Sequence, residues 1–366
     1  MGEPGAVGLA YRDWSNDHAG WAESLQISQE AIALYAASDV VDLHIDSFLW
    51  NRIFGYDLTQ RHGHGLLGAR FYSQCDLPRI REARIGGAIW VITTNPMRLH
   101  RNKGATFLRN FEKIRSILSS CSDEVALVRT VAEYRAARAA KKHAAWIGVQ
   151  GGNAFEGDLE LLAKIPEQLL IRVTLVHLSN SALGRTSAPL GGKAGVTTLG
   201  RQMVEQLNAQ RIFVDLAHIN RQGFFDALAV HSKELPPIVT HTGVSGVNPH
   251  WRNLDDEQIR AIADRGGTIG VMYQCSFLGE PYWGGRAARI ADHLEHIVKV
   301  GGEACASLGS DWDGAIITPR DMPTCLELPR LVQLMLDRKW TADRIGRILG
   351  GNWLATLERL RPSLGV

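Results

Sequence analysis

A histidine and an aspartate two positions apart, His44 and Asp46, end a short apolar run that begins at residue 40. In a β-strand, residues i and i+2 point to the same face, so the two side chains would project side by side. An imidazole and a carboxylate at the carboxyl end of a strand are suitable ligands for a borderline divalent metal such as zinc. An isolated pair of this kind is more often structural than metal-binding, so the interpretation depends on the rest of the chain.

Four further apolar runs also end in a side chain that can bind a metal or transfer a proton. The residues are His177, His218, His241 and Asp311. A lone histidine in such a place is more often hydrogen-bonded within the core, but five strand ends with such residues favour a shared metal centre. Active sites of parallel α/β barrels lie at the carboxyl ends of the strands.

Eight apolar, strand-like runs, including the five above, alternate with helix-like segments along the chain. Runs that are apolar on both faces are typical of parallel strands covered by helices. No strand is followed by a GxGxxG helix start or a Walker lysine motif, which disfavours nucleotide-binding doubly wound folds. We therefore predict a (β/α)8 TIM barrel, an α/β fold. Its strands are expected at residues 38–46, 86–94, 144–150, 169–177, 211–218, 236–242, 267–273 and 305–311.

The same alternation predicts one domain, residues 1–366. A lead-in, residues 1–38, contains a short helix with Ser28 as its N-cap. Helices are expected to finish the chain from about residue 320.

Composition narrows the class of protein. The 366 residues are 45% hydrophobic and 21% charged, with a net charge of +2 and no basic tract, so nucleic acid is not an expected partner. The N-terminus does not read as a secretory signal, and no apolar run approaches the roughly 18 residues of a membrane span. The five cysteines are scattered and never form a CxxC pair, which is typical of reduced thiols. These features predict a soluble cytoplasmic protein.

Eight stretches of the chain match the motifs of a known family. They are DLHIDSFLW, GVQGGNAFEGDLELL, RVTLVHLSNSALG, FVDLAHIN, PIVTHTGVSGV, HWRNLDDEQIRAIADRGGTIGVMY, SLGSDWDG and ILGGNWLATLE. In these stretches and in their order, the chain resembles the membrane (renal) dipeptidase family, peptidase family M19, within the amidohydrolase superfamily. The resemblance covers the chain from about residue 28 to its end.

The resemblance implies a centre of two metal ions. His44 and Asp46 resemble the ligands of the first ion, and His218 and His241 those of the second. The family's bridging glutamate is replaced here by Gln150. A glutamine is neutral and offers one carbonyl oxygen, and removing a negative charge raises the repulsion between two dications. We therefore expect one zinc ion at the two-histidine side, or a pair that is held weakly.

The resemblance also implies roles for three other residues. His177 resembles the histidine that steadies the substrate carbonyl as it becomes tetrahedral. Arg252 resembles the arginine that pairs with the substrate's terminal carboxylate, a task suited to a guanidinium group. Asp311 resembles the acid/base that takes a proton from the attacking water and passes it to the leaving amine.

Other polar residues near these motifs have structural interpretations. Of the two carboxylates that could replace the bridging glutamate, Glu156 and Asp158, the second is expected in the first turn of a helix. Asp42 is expected to accept a hydrogen bond beside the site and Asp313 to be a structural cap. His62 and His64 are expected in a loop lining the pocket, and His293 and His296 on an exposed helix face.

The first functional hypothesis is a zinc-dependent, dipeptidase-like hydrolase acting on a small amide with a free carboxylate. One alternative is a mononuclear amidohydrolase for another small or cyclic amide. The other is a non-catalytic barrel that binds a ligand or partner. The expected partner is a small-molecule substrate, and the resemblance implies a homodimer.

Overall fold

The computed structural model describes residues 7–94 and 102–363. Its centre is a set of parallel strands that are buried along almost their whole length. The strands are β1 (Val41–Ile45), β2 (Gly87–Thr93), β3 (Val125–Leu127), β4 (His143–Gln150), β5 (Leu170–Thr174), β6 (Phe213–Asp215), β7 (Ile238–Thr242), β8 (Thr268–Val271) and β9 (Ala306–Leu308).

Eight of the strands close into a barrel. β1 pairs with both β2 and β9, β2 pairs with β4, and β4 to β9 pair in sequence, all in parallel. The predicted (β/α)8 TIM barrel is confirmed. β3 was not predicted, because three residues are too few to show a pattern; it pairs with the first residues of β4.

Helices surround the barrel and contribute the outer layer of the core. Ser28 caps the second helix as predicted, since its side chain accepts a hydrogen bond from the Ala31 backbone N–H at 3.1 Å. Among the described residues, no helix has the length and apolar character needed to cross a membrane. The α-helices are α1 (His18–Leu25), α2 (Gln29–Ala37), α3 (Phe48–Phe54), α4 (Leu77–Glu82), α5 (Lys103–Ser120), α6 (Val131–Ala139), α7 (Thr198–Ala209), α8 (Arg221–Val230), α9 (Asp256–Ala263), α10 (Ala288–Gly301), α11 (Pro329–Asp337), α12 (Ala342–Gly346) and α13 (Asn352–Leu360).

The shorter helical turns are mostly of the 3₁₀ type. Those of the 3₁₀ type lie in the connections between α3 and α4, β4 and β5, β8 and α10, and β9 and α11. A turn of π-helix at Arg347–Gly351 joins α12 to α13. The 3₁₀ turns are Leu66–Ala69, Gly152–Ala154, Leu159–Lys164, Pro166–Gln168, Cys275–Leu278 and Cys325–Glu327.

One expectation about α10 is wrong. His293 is fully buried rather than exposed: its Nδ1 accepts from the Val244 backbone N–H at 2.9 Å, and its Nε2 lies 3.2 Å from the Leu278 carbonyl oxygen. His296 is half-buried rather than exposed, and its Nε2 lies 2.7 Å from Asp256 Oδ1. α10 packs against α9 and the barrel through this face, and two histidines within an amphipathic helix do not reveal which face is covered.

Candidate metal centre

The strand ends bring the predicted residues together at one mouth of the barrel. Parallel strands of a closed barrel end on the same face, so residues far apart in sequence become neighbours. His44 lies in β1, Asp46 directly follows it, and Gln150 is the last residue of β4. The others lie in β7 or just after β5, β6 and β9: His241, His177, His218 and Asp311.

Three of these side chains meet at their terminal nitrogens. Gln150 Nε2 lies 3.0 Å from His218 Nε2 and 3.3 Å from His241 Nε2, and the two histidine nitrogens lie 2.8 Å apart. All three side chains are buried. Ligand atoms of a tetrahedral zinc ion lie about 3.3 Å apart, given the usual Zn–N length. One ion could therefore be shared by these residues after small adjustments.

A second group of ligand atoms adjoins the first. His44 Nε2 lies 3.6 Å from Asp46 Oδ2 and 3.6 Å from Asp311 Oδ1. Ligand atoms of His44, His241 and Asp311 all lie within 4.8 Å of one another. His44 Nε2 is buried and has no hydrogen-bond partner, an arrangement that costs free energy unless a cation or another polar group satisfies it.

Hydrogen bonds determine which histidine nitrogens carry a lone pair. Thr240 Oγ1 donates to Asp215 Oδ2 at 2.7 Å, because a carboxylate can only accept. The same hydroxyl lies 2.9 Å from His241 Nδ1 and is therefore left to accept the ring proton there. The Nε2 of His241 then presents its lone pair to the centre, which is the arrangement typical of a metal-binding histidine.

His44 has the opposite arrangement. Its Nδ1 lies 2.7 Å from Arg172 Nη2, and a guanidinium group can only donate. A neutral His44 therefore carries its proton on Nε2, towards Asp46 and Asp311. A cation could bind that nitrogen only after the proton had left, whereas His241 needs no such loss. The side chains thus fit one ion at the two-histidine side better than a second ion at His44.

A buried ion pair, Arg172–Asp215, orients the rings of His44 and His241. Arg172 and Asp215 are fully buried, with Nη1 and Oδ2 3.1 Å apart. Asp215 also accepts hydrogen bonds from the Thr174 hydroxyl at 2.6 Å and from the Thr240 backbone N–H at 3.0 Å. Because Thr240 bonds to His241 and Arg172 to His44, this pair fixes the orientation of both rings.

Replacing Asp215 by alanine should lower the free energy of unfolding by about 3–5 kcal/mol, because Arg172 would be left as a buried, unpaired charge. Urea unfolding of the two proteins measures this difference. The double variant Asp215→Ala, Arg172→Met removes both charges and should recover part of the loss. A single variant as stable as the wild type would contradict the structural role of the pair.

Asp311 is held in an unusual backbone conformation. Its φ is 64°, the left-handed region that non-glycine residues rarely adopt, and His218 has a φ of 65°. The Asp311 N–H donates to the His44 carbonyl oxygen at 3.0 Å, and its own carbonyl accepts from the Gly314 N–H at 2.9 Å. Such strain is common at functional sites, where the surrounding structure maintains it. Burial, followed by the charge of Asp46, raises the pKa of Asp311 well above its usual range.

Two further predicted residues border the centre. The rings of His177 and His218 lie 4.6 Å apart, and burial lowers the pKa of His177 to about 4, so its imidazole is neutral at pH 7. Arg252 is buried and donates from Nη2 to the His241 carbonyl oxygen at 2.7 Å, while its Nε has no partner. Burial lowers the pKa of Arg252 to about 10, which still leaves it charged at neutral pH.

A cavity of about 510 Å³ opens beside His177 and Thr93. This volume lies in the range of small-molecule sites. Its wall is mainly apolar, with side chains from α3, β2 and α5 including Leu49, Ile92 and Phe107. The centre therefore has an adjoining space that can take a small organic substrate.

The other carboxylates near the motifs have structural partners. Glu156 pairs with Lys103 and accepts from the Ala182 N–H at 3.1 Å. Asp158 caps the turn that follows it, accepting from the Glu160 N–H at 2.9 Å. Neither takes the place of the bridging glutamate.

Asp313 and Asp42 also act as predicted. Asp313 accepts from the backbone N–H groups of Gln74 at 2.9 Å and Cys75 at 3.1 Å. Asp42 accepts from the His44 backbone N–H at 2.9 Å, and burial raises its pKa to about 7.

The two histidines of the HGH sequence lie in the loop between α3 and α4. The ring of His62 stacks on Tyr56 with centroids 3.9 Å apart, and its backbone N–H donates to Asp76 Oδ2 at 3.0 Å. Among the described residues, neither His62 nor His64 lines the cavity beside the centre. The expectation that this loop lines that pocket is wrong, because Tyr56 and Asp76 hold His62 elsewhere.

Sequence reasoning missed the residues that orient the centre: Arg172, Asp215, Thr240 and Thr93. Arg172 and Asp215 left a signal, since a charge within the apolar runs at residues 169–177 and 211–218 must find a buried partner. The threonines are ordinary strand residues, and nothing in their spacing indicates their partners.

The chain matches a known protein family over most of its length. The family model for membrane dipeptidase, peptidase family M19, matches residues 28–361. A Klebsiella pneumoniae protein described as "uncharacterized protein in pqqA 5′region" is 31% identical over 169 residues. That match covers 45% of this chain and 61% of the relative, so the chain spans less than two thirds of that relative's length.

Solved structures share the fold. The dipeptidase AC, a metallopeptidase of family M19, has a TM-score of 0.78 at 24% identity and covers 89% of this chain and 99% of its own. A Rhodobacter sphaeroides metallopeptidase, liganded with a phosphinate mimic of the dipeptide L-Ala-D-Ala, has a TM-score of 0.78 at 22% identity. It covers 88% of this chain and 99% of its own.

Proposed function

Because the chain belongs to peptidase family M19, we propose that it is a metal-dependent hydrolase that cleaves the amide bond of a dipeptide or a similar small, carboxylate-bearing amide. The observation that carries the proposal is the meeting of Gln150, His218 and His241 within 3.3 Å of one another, at the barrel mouth that also holds Asp311 and Arg252. Zinc is the ion we propose, since two imidazoles and oxygen ligands suit it.

A bound zinc ion would supply an acidified water molecule and polarise the scissile carbonyl. Arg252 would pair with the terminal carboxylate of the substrate and fix its position. His177, being neutral, would donate a hydrogen bond to the carbonyl oxygen as negative charge develops on it. Asp311 would take the proton from the attacking water and deliver it to the amine nitrogen as the C–N bond breaks.

Metal analysis of the purified chain, together with a panel of dipeptides, tests the proposal. We expect zinc at the two-histidine side and turnover of at least some dipeptides. Zinc without any dipeptide turnover would favour the mononuclear amidohydrolase for another small or cyclic amide, an alternative that the neutral Gln150 supports. Absence of any bound metal, even after incubation with zinc, would contradict both enzyme proposals and leave a ligand-binding barrel.

Changing Arg252 to methionine should lower kcat/KM for a dipeptide by about 10- to 100-fold, because a hydrogen bond to a charged group is worth about 1.5–3 kcal/mol. The same dipeptide with its carboxyl group blocked as an amide should lose far less. Arg252→Lys keeps the charge but loses the bidentate geometry of the guanidinium group, so its kcat/KM for the dipeptide should lie between those of the wild type and the methionine variant. Equal losses on the free and blocked substrates would remove the proposed role.

We also propose where the protein acts and how it assembles. All five cysteines are buried and unpaired, which supports a reducing compartment such as the cytoplasm. We also propose a homodimer, which sedimentation of the purified chain would test.

A further inference from the structure

Thr93, the last residue of β2, lies between Asp46 and Gln150. Its hydroxyl donates to Asp46 Oδ1, and its Oγ1 lies 3.0 Å from Gln150 Oε1. A threonine hydroxyl has one proton, and an ionised Asp46 can only accept. With that proton given to Asp46, Thr93 can only accept a hydrogen bond from Gln150.

The carboxamide of Gln150 has two orientations of similar shape, and hydrogen bonding decides between them. With its NH₂ group towards His218 and His241, it donates to the Nε2 lone pair of His241, and to that of His218 when this ring is protonated on Nδ1, but sets its oxygen against the Thr93 oxygen. After a 180° rotation of the carboxamide, the NH₂ group donates to Thr93 and the carbonyl oxygen faces the two histidines. With both rings protonated on Nδ1, three lone pairs then point at one place, an arrangement that a cation there stabilises.

We propose that Thr93 is a positioning residue that makes the neutral Gln150 a metal ligand by holding its carbonyl oxygen towards the ion. The hydrogen bonds would then run in one direction, from the Gln150 amide to Thr93 and from Thr93 to Asp46. This inference rests on the proposed function, because it concerns the ion at the two-histidine side. It gives the glutamine a place in the centre that its lack of charge alone does not suggest.

The test is the affinity of the full-length chain for zinc, measured by competition with a chelator. Thr93→Val keeps the shape of the side chain but removes the hydroxyl, and it should weaken zinc binding by about 10- to 100-fold, as changes behind a metal ligand usually do. Thr93→Ser keeps the hydroxyl and should restore most of the affinity. Urea unfolding in the presence of chelator should show that the metal-free valine variant still folds.

Thr93 also contacts Asp46, so the same substitution is needed in a Gln150→Glu background. A glutamate presents oxygen in either orientation and needs no neighbour to orient it. Thr93→Val should therefore weaken zinc binding less in that background than in the wild type. Equal losses in both backgrounds would mean that Thr93 acts through Asp46 only, and would overturn the inference.

The outcomes separate this inference from the proposed function. A wild-type chain that binds no zinc would contradict the proposed function and, with it, this inference. A wild type that binds zinc, with a Thr93→Val variant that binds it equally well, would contradict only the role of Thr93.

Discussion

Replacing Gln150 by glutamate should raise the bound zinc from one ion towards two per chain and increase dipeptide turnover by about tenfold or more. Two unit charges 4 Å apart interact with about 4 kcal/mol at an effective dielectric constant of 20, so even part of this energy changes metal affinity by more than tenfold. The added carboxylate would sit between His218, His241 and Thr93, where it could neutralise some of the repulsion between two dications.

Elemental analysis and kcat/KM on the same preparations would measure both effects. Gln150→Asn is the matched control, because it changes the side chain without adding charge and should raise neither quantity. In the presence of chelator, the glutamate variant should be less stable than the wild type, since its carboxylate and that of Asp46 would share the single hydroxyl proton of Thr93. Metal content and activity that both remain at wild-type values would contradict this account of position 150.

Replacing Asp311 by asparagine should lower kcat by about 10²- to 10⁴-fold, the usual contribution of a general acid/base. Asparagine keeps the shape of the side chain but cannot take a proton from water or deliver one to the leaving amine. Zinc content should stay close to the wild-type value, because two histidines and Gln150 would still hold the ion. Steady-state kinetics normalised to bound zinc would separate the lost proton transfer from lost metal.

Asp313 offers a matched control two residues away. It is also a buried aspartate with a φ of 64°, and burial raises its pKa to about 6. Its carboxylate, however, accepts backbone hydrogen bonds from Gln74 and Cys75 and does not face the ligand cluster. Asp313→Asn should therefore reduce stability but leave kcat per folded molecule close to the wild type. An Asp311→Asn variant with no greater loss of kcat than this control would contradict the acid/base role.

The sequence by itself determined the barrel and the strand ends that meet at its mouth. Strands buried on both faces must be largely apolar, and this requirement makes the eight runs visible without any structure. The i, i+2 spacing of His44 and Asp46 also predicted neighbours, and their side chains do approach to 3.6 Å. Local patterns could not show β3, which has three residues, or the burial of His293, which depends on what packs against its helix.

Only the tertiary structure decided how the centre is oriented and charged. Arg172 reaches His44 across 128 positions of sequence, and Thr93 stands between Asp46 and Gln150, which lie 47 and 57 positions away. A hydrogen bond has a direction, and that direction depends on all the partners a group meets. Since barrel closure selects those partners, the sequence identified the ligand atoms, while the fold determined which of them are free to bind an ion.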